Sequence, residues 1–415
     1  MNINSTNASL ELAKRLSETV NDAWESGELM EQVTPTTQEL LKFWFSEEYC
    51  SLRNRNFHTG QRQAILNIIY LHEVMGVKNV LEYYEQLTPD LLPLVDLGTL
   101  GQKKYQMPKY AVKMATGTGK TWVMHALLIW QYLNARAGGV RFTKNFLFVA
   151  PGLIVYERLL DAFCGKRARD GEARDFETSD IKSCEALFVP PQFREALYGF
   201  LQNSLVRKED FGRKVTGDGL VALTNWHLFM SGDDEETADE DSAPAIINDL
   251  LPARPGTSAG NALDTLDNAY LRGNELDYLA SLPDLMVIND EAHHVHENGT
   301  DDDDVQWQQA LDYMLQGKRC RMQVDFSATP YEQRGSGRKA RKLYFPHIVV
   351  DFDLKEAMQH GLVKTLSLDQ RQALTDLSDL DFNAIREGRS VVALSDGQKL
   401  MLRAGMERLN KLQAD

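Results

Sequence analysis

The chain has 415 residues, 43% of them hydrophobic and 25% charged, with a formal net charge of −15, a composition typical of a water-soluble globular protein and a length sufficient for roughly two or three domains. Met1–Ser9 lacks the apolar centre of a leader peptide, and the longest apolar run, Trp122–Leu133, is broken by His125 and Gln131 and too short for a bilayer, so neither export nor a membrane partner is expected. Cys50, Cys164, Cys184 and Cys320 are scattered without C-x-x-C spacing, which excludes a zinc ribbon and a disulfide framework and fits a cytoplasmic location.

The acidity is local. Asp233–Glu236, Asp239–Asp241 and Asp301–Asp304 hold eleven of the acidic side chains and read as solvated loops, so the net charge neither excludes nor supports a basic groove for nucleic acid elsewhere.

In chain order, apolar residues from Leu10 to Trp24 recur at helical spacing, and a second helix starts at Thr34-Pro35 and presents Leu40, Leu41, Trp44 and Phe45. Phe57 to Leu66 opens a third amphipathic helix that stops at Gly76. Tyr110-Ala111-Val112 reads as a buried strand, followed by a Gly/Thr turn and the helical pattern Trp122–Tyr132. Strand and helix then alternate, with strands at Asn145–Ala150, Gly219–Thr224, Leu285–Asn289, Arg321–Phe326 and 348–352, and helices at 153–163, 354–360 and 398–412. This alternation predicts a mostly parallel sheet with helices on both faces, an α/β three-layer sandwich. About 231–283 is an acidic surface insertion, helical only at 262–282.

The turn Lys113-Met-Ala-Thr-Gly-Thr-Gly-Lys-Thr121 is a phosphate-binding loop. Gly117 and Gly119 lack a Cβ, so the backbone can fold several N–H groups toward one anion beside the positive end of the next helix. Thr116 and Thr118 lie within that loop, Lys120 adds charge for the β- and γ-phosphates, and the Thr121 hydroxyl is suited to Mg²⁺. The general pattern begins with Gly where this chain has Met114. In a doubly wound sheet ligands bind beyond the carboxyl ends of the strands, so Asp290-Glu291, closing the strand at Asn289, should face the loop. Asp290 can supply a hard oxygen to Mg²⁺, and Glu291 can orient and deprotonate an attacking water. The run His293-His294-Val295-His296 lacks H-E-x-x-H and is not read as a zinc site.

Ala115–Thr121, Asp290-Glu291-Ala292-His293 and Ser327-Ala328-Thr329 resemble motifs I, II and III of superfamily 2 DEAD/DEAH-box helicases, with Val149-Ala150-Pro151 and Leu223-Thr224-Asn225-Trp226 as further matches. More narrowly, Met114–Thr121, Asn289–His294, Asp325–Tyr331 and Val350–Lys364 resemble the restriction subunit of type III restriction–modification enzymes. The resemblance implies a RecA-like P-loop NTPase lobe that uses ATP and Mg²⁺ and acts on nucleic acid, double-stranded DNA above all, with a DNA methyltransferase subunit as a further partner. Alanine or serine often opens the first motif one position later in that superfamily, which accommodates Met114. It also implies that Gln61 reads the adenine edge and Phe57 packs on the base, and that Ser327 and Thr329 couple nucleotide state to nucleic acid through His293. A helix-capping role for Gln61 and a core role for Phe57 stay open beside these.

The expected organisation is an N-terminal helical extension at 1–52, the ATP-binding lobe at 53–365, and a linker at 366–415 toward a second lobe that this chain lacks. A motor needs that second lobe for its transition-state arginine, so the chain is expected to be a fragment, truncated or split product. Gln333–Arg341 echoes an arginine-finger motif but lies too early and is read as a basic loop. The expected activity is a helicase or translocase ATPase; the rival is a nucleotide-binding interaction module without motor activity. A small-molecule P-loop kinase leaves Asp290–His293 and Ser327–Thr329 without a task.

Overall fold

A computed structural model of the chain describes residues 8–167, 173–207, 218–225, 277–293, 310–318, 321–334, 341–363, 381–387 and 390–414. Most of the acidic insertion, Asp301–Asp304, Trp226, His294, His296 and residues 335–340 lie outside them. The chain forms two compact units, Met1–Val363 and Lys364–Asp415.

Seven strands make the central sheet of the first unit: β1 (Lys109–Met114), β2 (Asn145–Ala150), β3 (Leu205–Arg207), β4 (Leu220–Asn225), β5 (Leu285–Asn289), β6 (Arg321–Ser327) and β7 (Ile348–Phe352). Their order is β7-β1-β6-β5-β2-β4-β3, and every pairing is parallel. Runs such as Asn-Phe-Leu-Phe-Val-Ala in β2 are buried at every position, as a parallel sheet covered on both faces requires. The register sets Met114 beside Phe352, Lys113 beside Ser327, Val149 beside Asn289 and Ala150 beside Asn225. The carboxyl ends of these strands therefore share one edge.

The helices follow from their caps and apolar spacing. Among the described helices, besides others such as Val80–Leu87, are α1 (Ala8–Glu25), α2 (Pro35–Phe45), α3 (Thr59–Ile69), α4 (Lys120–Arg136), α5 (Leu153–Cys164), α6 (Arg194–Ser204) and α7 (Leu354–Gln359). Pro35 occupies the first turn of α2, and the Thr34 hydroxyl accepts from the Thr37 backbone N–H, a standard N-cap. Helix α4 is buried nearly all round, His125, Gln131 and Asn134 included, as its largely apolar sequence demands.

Helix α3 continues into a π-turn at Tyr70–Val74 before Gly76 (φ +60°) ends it. The wider turn brings His72 and Glu73 inward, both buried. The Glu73 carboxylate accepts from Thr34 N–H, Thr37 Oγ1 and Trp130 Nε1, the last at 2.6 Å. Leu12, Leu16, Leu40 and Trp44 pack in the same apolar core as Ile65, Leu127 and Phe148. Residues 8–52, expected as an extension, thus share one core with the lobe.

Among the pairings that were not foreseen are the short edge strand β3 beside β4, a pair of Lys166–Arg167 with Arg174–Asp175 and an antiparallel ribbon of Tyr331–Arg334 with Arg341–Tyr344. The ribbon amends the reading of Gln333–Arg341 as a basic loop at its ends only: Gln333, Arg334 and Arg341 belong to its strands, beside the Tyr331 and Tyr344 rings that meet edge to face at 5.4 Å, and 335–340 lie outside the described residues. The second unit contains paired strands Ile385–Glu387 and Ser390–Ala393 and the helix Asp396–Ala414.

Candidate nucleotide site

Strand β1 ends at Met114, whose side chain is fully buried in the core. Its position before the turn explains why no glycine is needed there. The turn itself uses Gly117 at φ +82° and Gly119 at φ +76°, conformations costly to any residue with a Cβ. Inside the turn the Thr118 hydroxyl donates to Ala115 O at 2.6 Å, while Thr116 and Gly117 remain exposed. Lys120 and Thr121 then open α4, where unpaired N–H groups and the helix dipole favour an anion.

Two residues of α3 hold the outside of this turn. His58 is the α3 N-cap: its Nδ1 accepts from the Gly60 and Gln61 N–H groups. That leaves Nε2 protonated, and it donates to Thr118 O at 2.7 Å. Gln61 is 3% exposed; its Oε1 accepts from His58 N–H at 3.2 Å and its Nε2 donates to Gly119 O at 3.0 Å. The pair is a capping box that also grips the loop's carbonyls. His58 escaped sequence reasoning, although the spacing His-x-x-Gln before an apolar run carries the capping signal. Phe57 lies 5.8–6.1 Å from the rings of Trp44, Phe45 and Phe188 and is 9% exposed. Its role is core packing, the alternative left open beside packing on the base.

From the other side, β5 delivers Asp290 and Glu291. Asp290 N–H donates to Val149 O at 2.9 Å and Ala292 N–H to Phe326 O at 2.8 Å, so the turn is pinned to both neighbouring strands. Between the pins Glu291 takes φ +45°, the one positive φ of a non-glycine among the described residues, a strain of about 1–3 kcal/mol that the pins sustain. The Glu291 carboxylate forms an ion pair with Lys120 Nζ, and its other oxygen is 3.6 Å from His293 Nδ1. Burial pushes the Asp290 carboxyl up to about 6, with Lys120 opposing and Glu291 adding to the rise. A carboxylate short of positive charge beside a lysine already paired elsewhere suits a divalent cation.

His293 Nδ1 lies 2.8 Å from Ser327 Oγ, which also accepts from Thr329 N–H at 3.0 Å. The coupling trio expected from sequence is therefore one hydrogen-bonded group. The loop residues, the carboxylates and this trio stand together at the sheet's carboxyl edge, whereas Gln61 faces the loop's carbonyls.

Residues 55–249 match the family model described as type III restriction enzyme, res subunit. Over this segment the chain is similar to that family. The restriction-subunit match includes His58, Gln61 and the phosphate loop and supports a helicase-like ATP-binding domain with a RecA-like fold. It ends before Asp290, so the carboxylate half of the site rests on geometry. Neither the curated proteins nor the solved structures compared with the chain gave a match. Among the described residues no helix is long and apolar enough to cross a membrane.

Proposed function

We propose that this chain is the first motor lobe of an ATP-dependent DNA helicase or translocase of the type III restriction kind. The observation that carries the reading is the ion pair between Lys120 and Glu291, which joins the start of α4, just beyond the loop that follows β1, to the turn that follows β5, across the intervening β6. In the reading, the loop N–H groups of Thr116–Gly119 and Lys120 take the phosphates, and Glu291, released from Lys120 as phosphate arrives, accepts a proton from the attacking water. Thr121 and Asp290 would hold Mg²⁺, which supplies neutralisation of phosphate charge. Gln61 would read the adenine edge by giving up one of its present hydrogen bonds. Ser327, Thr329 and His293 would relay nucleotide state to DNA crossing the edge of Ala150-Pro151 and Thr224-Asn225. A second lobe supplies the transition-state arginine, a methyltransferase subunit is a further partner, and the setting is cytoplasmic.

Steady-state ATPase measured with and without duplex and single-stranded DNA, on the parent and Glu291→Gln, tests this. Slow turnover that needs Glu291 and rises with DNA once a second lobe is added in trans supports the motor reading. Nucleotide binding with no turnover under any of these conditions supports instead a nucleotide-binding interaction module. Robust unwinding by the chain alone contradicts the single-lobe account.

A further inference from the structure

Behind the carboxylate turn lies a group of polar side chains that the reading above does not use. Asp325 on β6 is 2% exposed. Its Oδ1 accepts from Asn289 Nδ2 at 2.7 Å and Gln323 Nε2 at 2.8 Å, and its Oδ2 accepts from His347 Nε2 at 3.0 Å. Lys109 Nζ stands 3.8 Å from the same oxygen. Lys109, Asn289, Gln323 and His347 are each no more than 3% exposed. The side chains buried beside them on these strands are mainly apolar, among them Val112, Ile288, Val324 and Phe326.

Such a group is a poor device for stability. Two charges have left water, and Asn289 Oδ1, Gln323 Oε1 and His347 Nδ1 find no hydrogen-bond partner among the described residues. Apolar side chains of similar volume commonly serve a fold as well or better. Its position gives it another use. Asn289 is the residue before Asp290 and lies in register with Asp325. Ser327, two residues beyond Asp325, receives His293 at the far end of the same turn. Both ends of the strained Asp290–His293 turn are thus referred to Asp325, and Lys109 ties that point to the strand that carries the phosphate loop.

We propose that Asp325 is a positioning residue which, through Asn289, sets the height of Asp290 and Glu291 against the phosphate loop and so presents Asp290 to the divalent cation of a nucleotide. The neutral His347, pushed down to about 4 mainly by burial, serves as a donor. Asp325 stays ionised because Lys109 and the hydrogen bonds from His347 and Gln323 outweigh its burial.

This proposal rests on the nucleotide-site reading, and its test separates the two. Binding of a fluorescent N-methylanthraniloyl-ATP to the full chain is titrated in Mg²⁺ and in EDTA, with the melting temperature recorded. In Lys109→Met/Asp325→Leu, which removes both charges together, metal-free affinity should stay within about twofold while the Mg²⁺-dependent gain falls roughly 10- to 100-fold, the usual cost of losing a partner of a metal ligand. Lys109→Met/Asp325→Asn keeps an acceptor for Asn289 and should retain the gain within about threefold of the parent. Asn289→Leu, which spares the ion pair, should lose the gain as the first variant does. Folded variants of Asp325→Leu and Asn289→Leu type that keep the parent's Mg²⁺ dependence overturn the proposal alone, as does loss of metal-free and Mg²⁺-dependent binding in step with the melting temperature. A parent that binds no nucleotide in either medium overturns the nucleotide-site reading and this proposal with it.

Discussion

Lys120 and Glu291 neutralise each other across the place where phosphate would sit. The lysine is 8% and the glutamate 19% exposed at the side chain, so the pair is only partly screened. An arriving triphosphate has to draw Lys120 away. Glu291→Gln should therefore tighten ATP binding about three- to tenfold, the worth of such a pair. It should also slow turnover by about 10²–10⁴-fold, the loss of a general base. Calorimetric titration and phosphate release, run on the same preparations, check both directions.

The two loop glycines should respond differently to alanine. A Cβ at Gly117 meets only Val363 at 3.9 Å, whereas a Cβ at Gly119 falls 2.5 Å from Gln61 Nε2. Gly117→Ala should cost roughly 1–2 kcal/mol, the left-handed backbone penalty alone. Gly119→Ala adds the displacement of Gln61 from Gly119 O and should lower both stability and nucleotide affinity further. Urea unfolding of the two variants would show the order; equal losses would mean that the Gln61 contact carries little.

Four histidines set the acid limb of stability. Burial is the leading cause that lowers His58, and it takes His72 to about 4, His125 to about 3 and His347 to about 4. All are lowered from the ordinary 6.5, so the fold favours the neutral forms. Their contribution is complete above about pH 6.5 and is lost as pH falls toward 4, at up to about 1.4 kcal/mol per pH unit for each group. Stability measured by urea at pH 7.5, 6 and 5 should fall in that order. His125 is fully buried against Phe163 and makes no hydrogen bond among the described residues; His125→Met should flatten the slope.

Asp290 runs the other way. Its carboxyl is raised from 3.8 to about 6, so its ionised form opposes folding; that cost builds as pH rises from about 4 to about 6 and is complete above it. Asp290→Asn should stabilise the unliganded chain at pH 8 by roughly 1–2 kcal/mol, allowing for partial contact with solvent. The same variant should lose the Mg²⁺-dependent part of nucleotide binding. Melting curves with and without Mg²⁺ and ATP read both effects.

Much of this arrangement was legible before any coordinates. Strands at Asn145–Ala150 and Leu285–Asn289 are continuous apolar runs, and their boundaries matched residue for residue. Thr34-Pro35 announced α2 because a cap and a first-turn proline act locally. The glycines and Lys120 were legible because phosphate binding constrains the backbone itself. What stayed hidden depends on distant parts of the chain. Phe57 looks the same in a base-stacking site and in a cluster with Trp44 and Phe188. His58 became visible as a loop clamp only when α3 was laid against the phosphate loop. Asp325 sits in a strand whose sequence, Arg-Met-Gln-Val-Asp-Phe-Ser, gives no sign that a lysine on β1 and a histidine before β7 converge on it.

The central claim is that the edge joining Lys120 to Glu291 is a nucleotide site, and equilibrium binding of ATP in Mg²⁺ to the parent and to Lys120→Ala tests it most directly. The account predicts saturable binding by the parent that weakens at least about tenfold in the variant, as loss of a charge-assisted phosphate contact requires, with the variant still folded at the assay temperature and its melting temperature lowered by the loss of the pair with Glu291. No binding by the folded parent, or equal binding by both proteins, would contradict it.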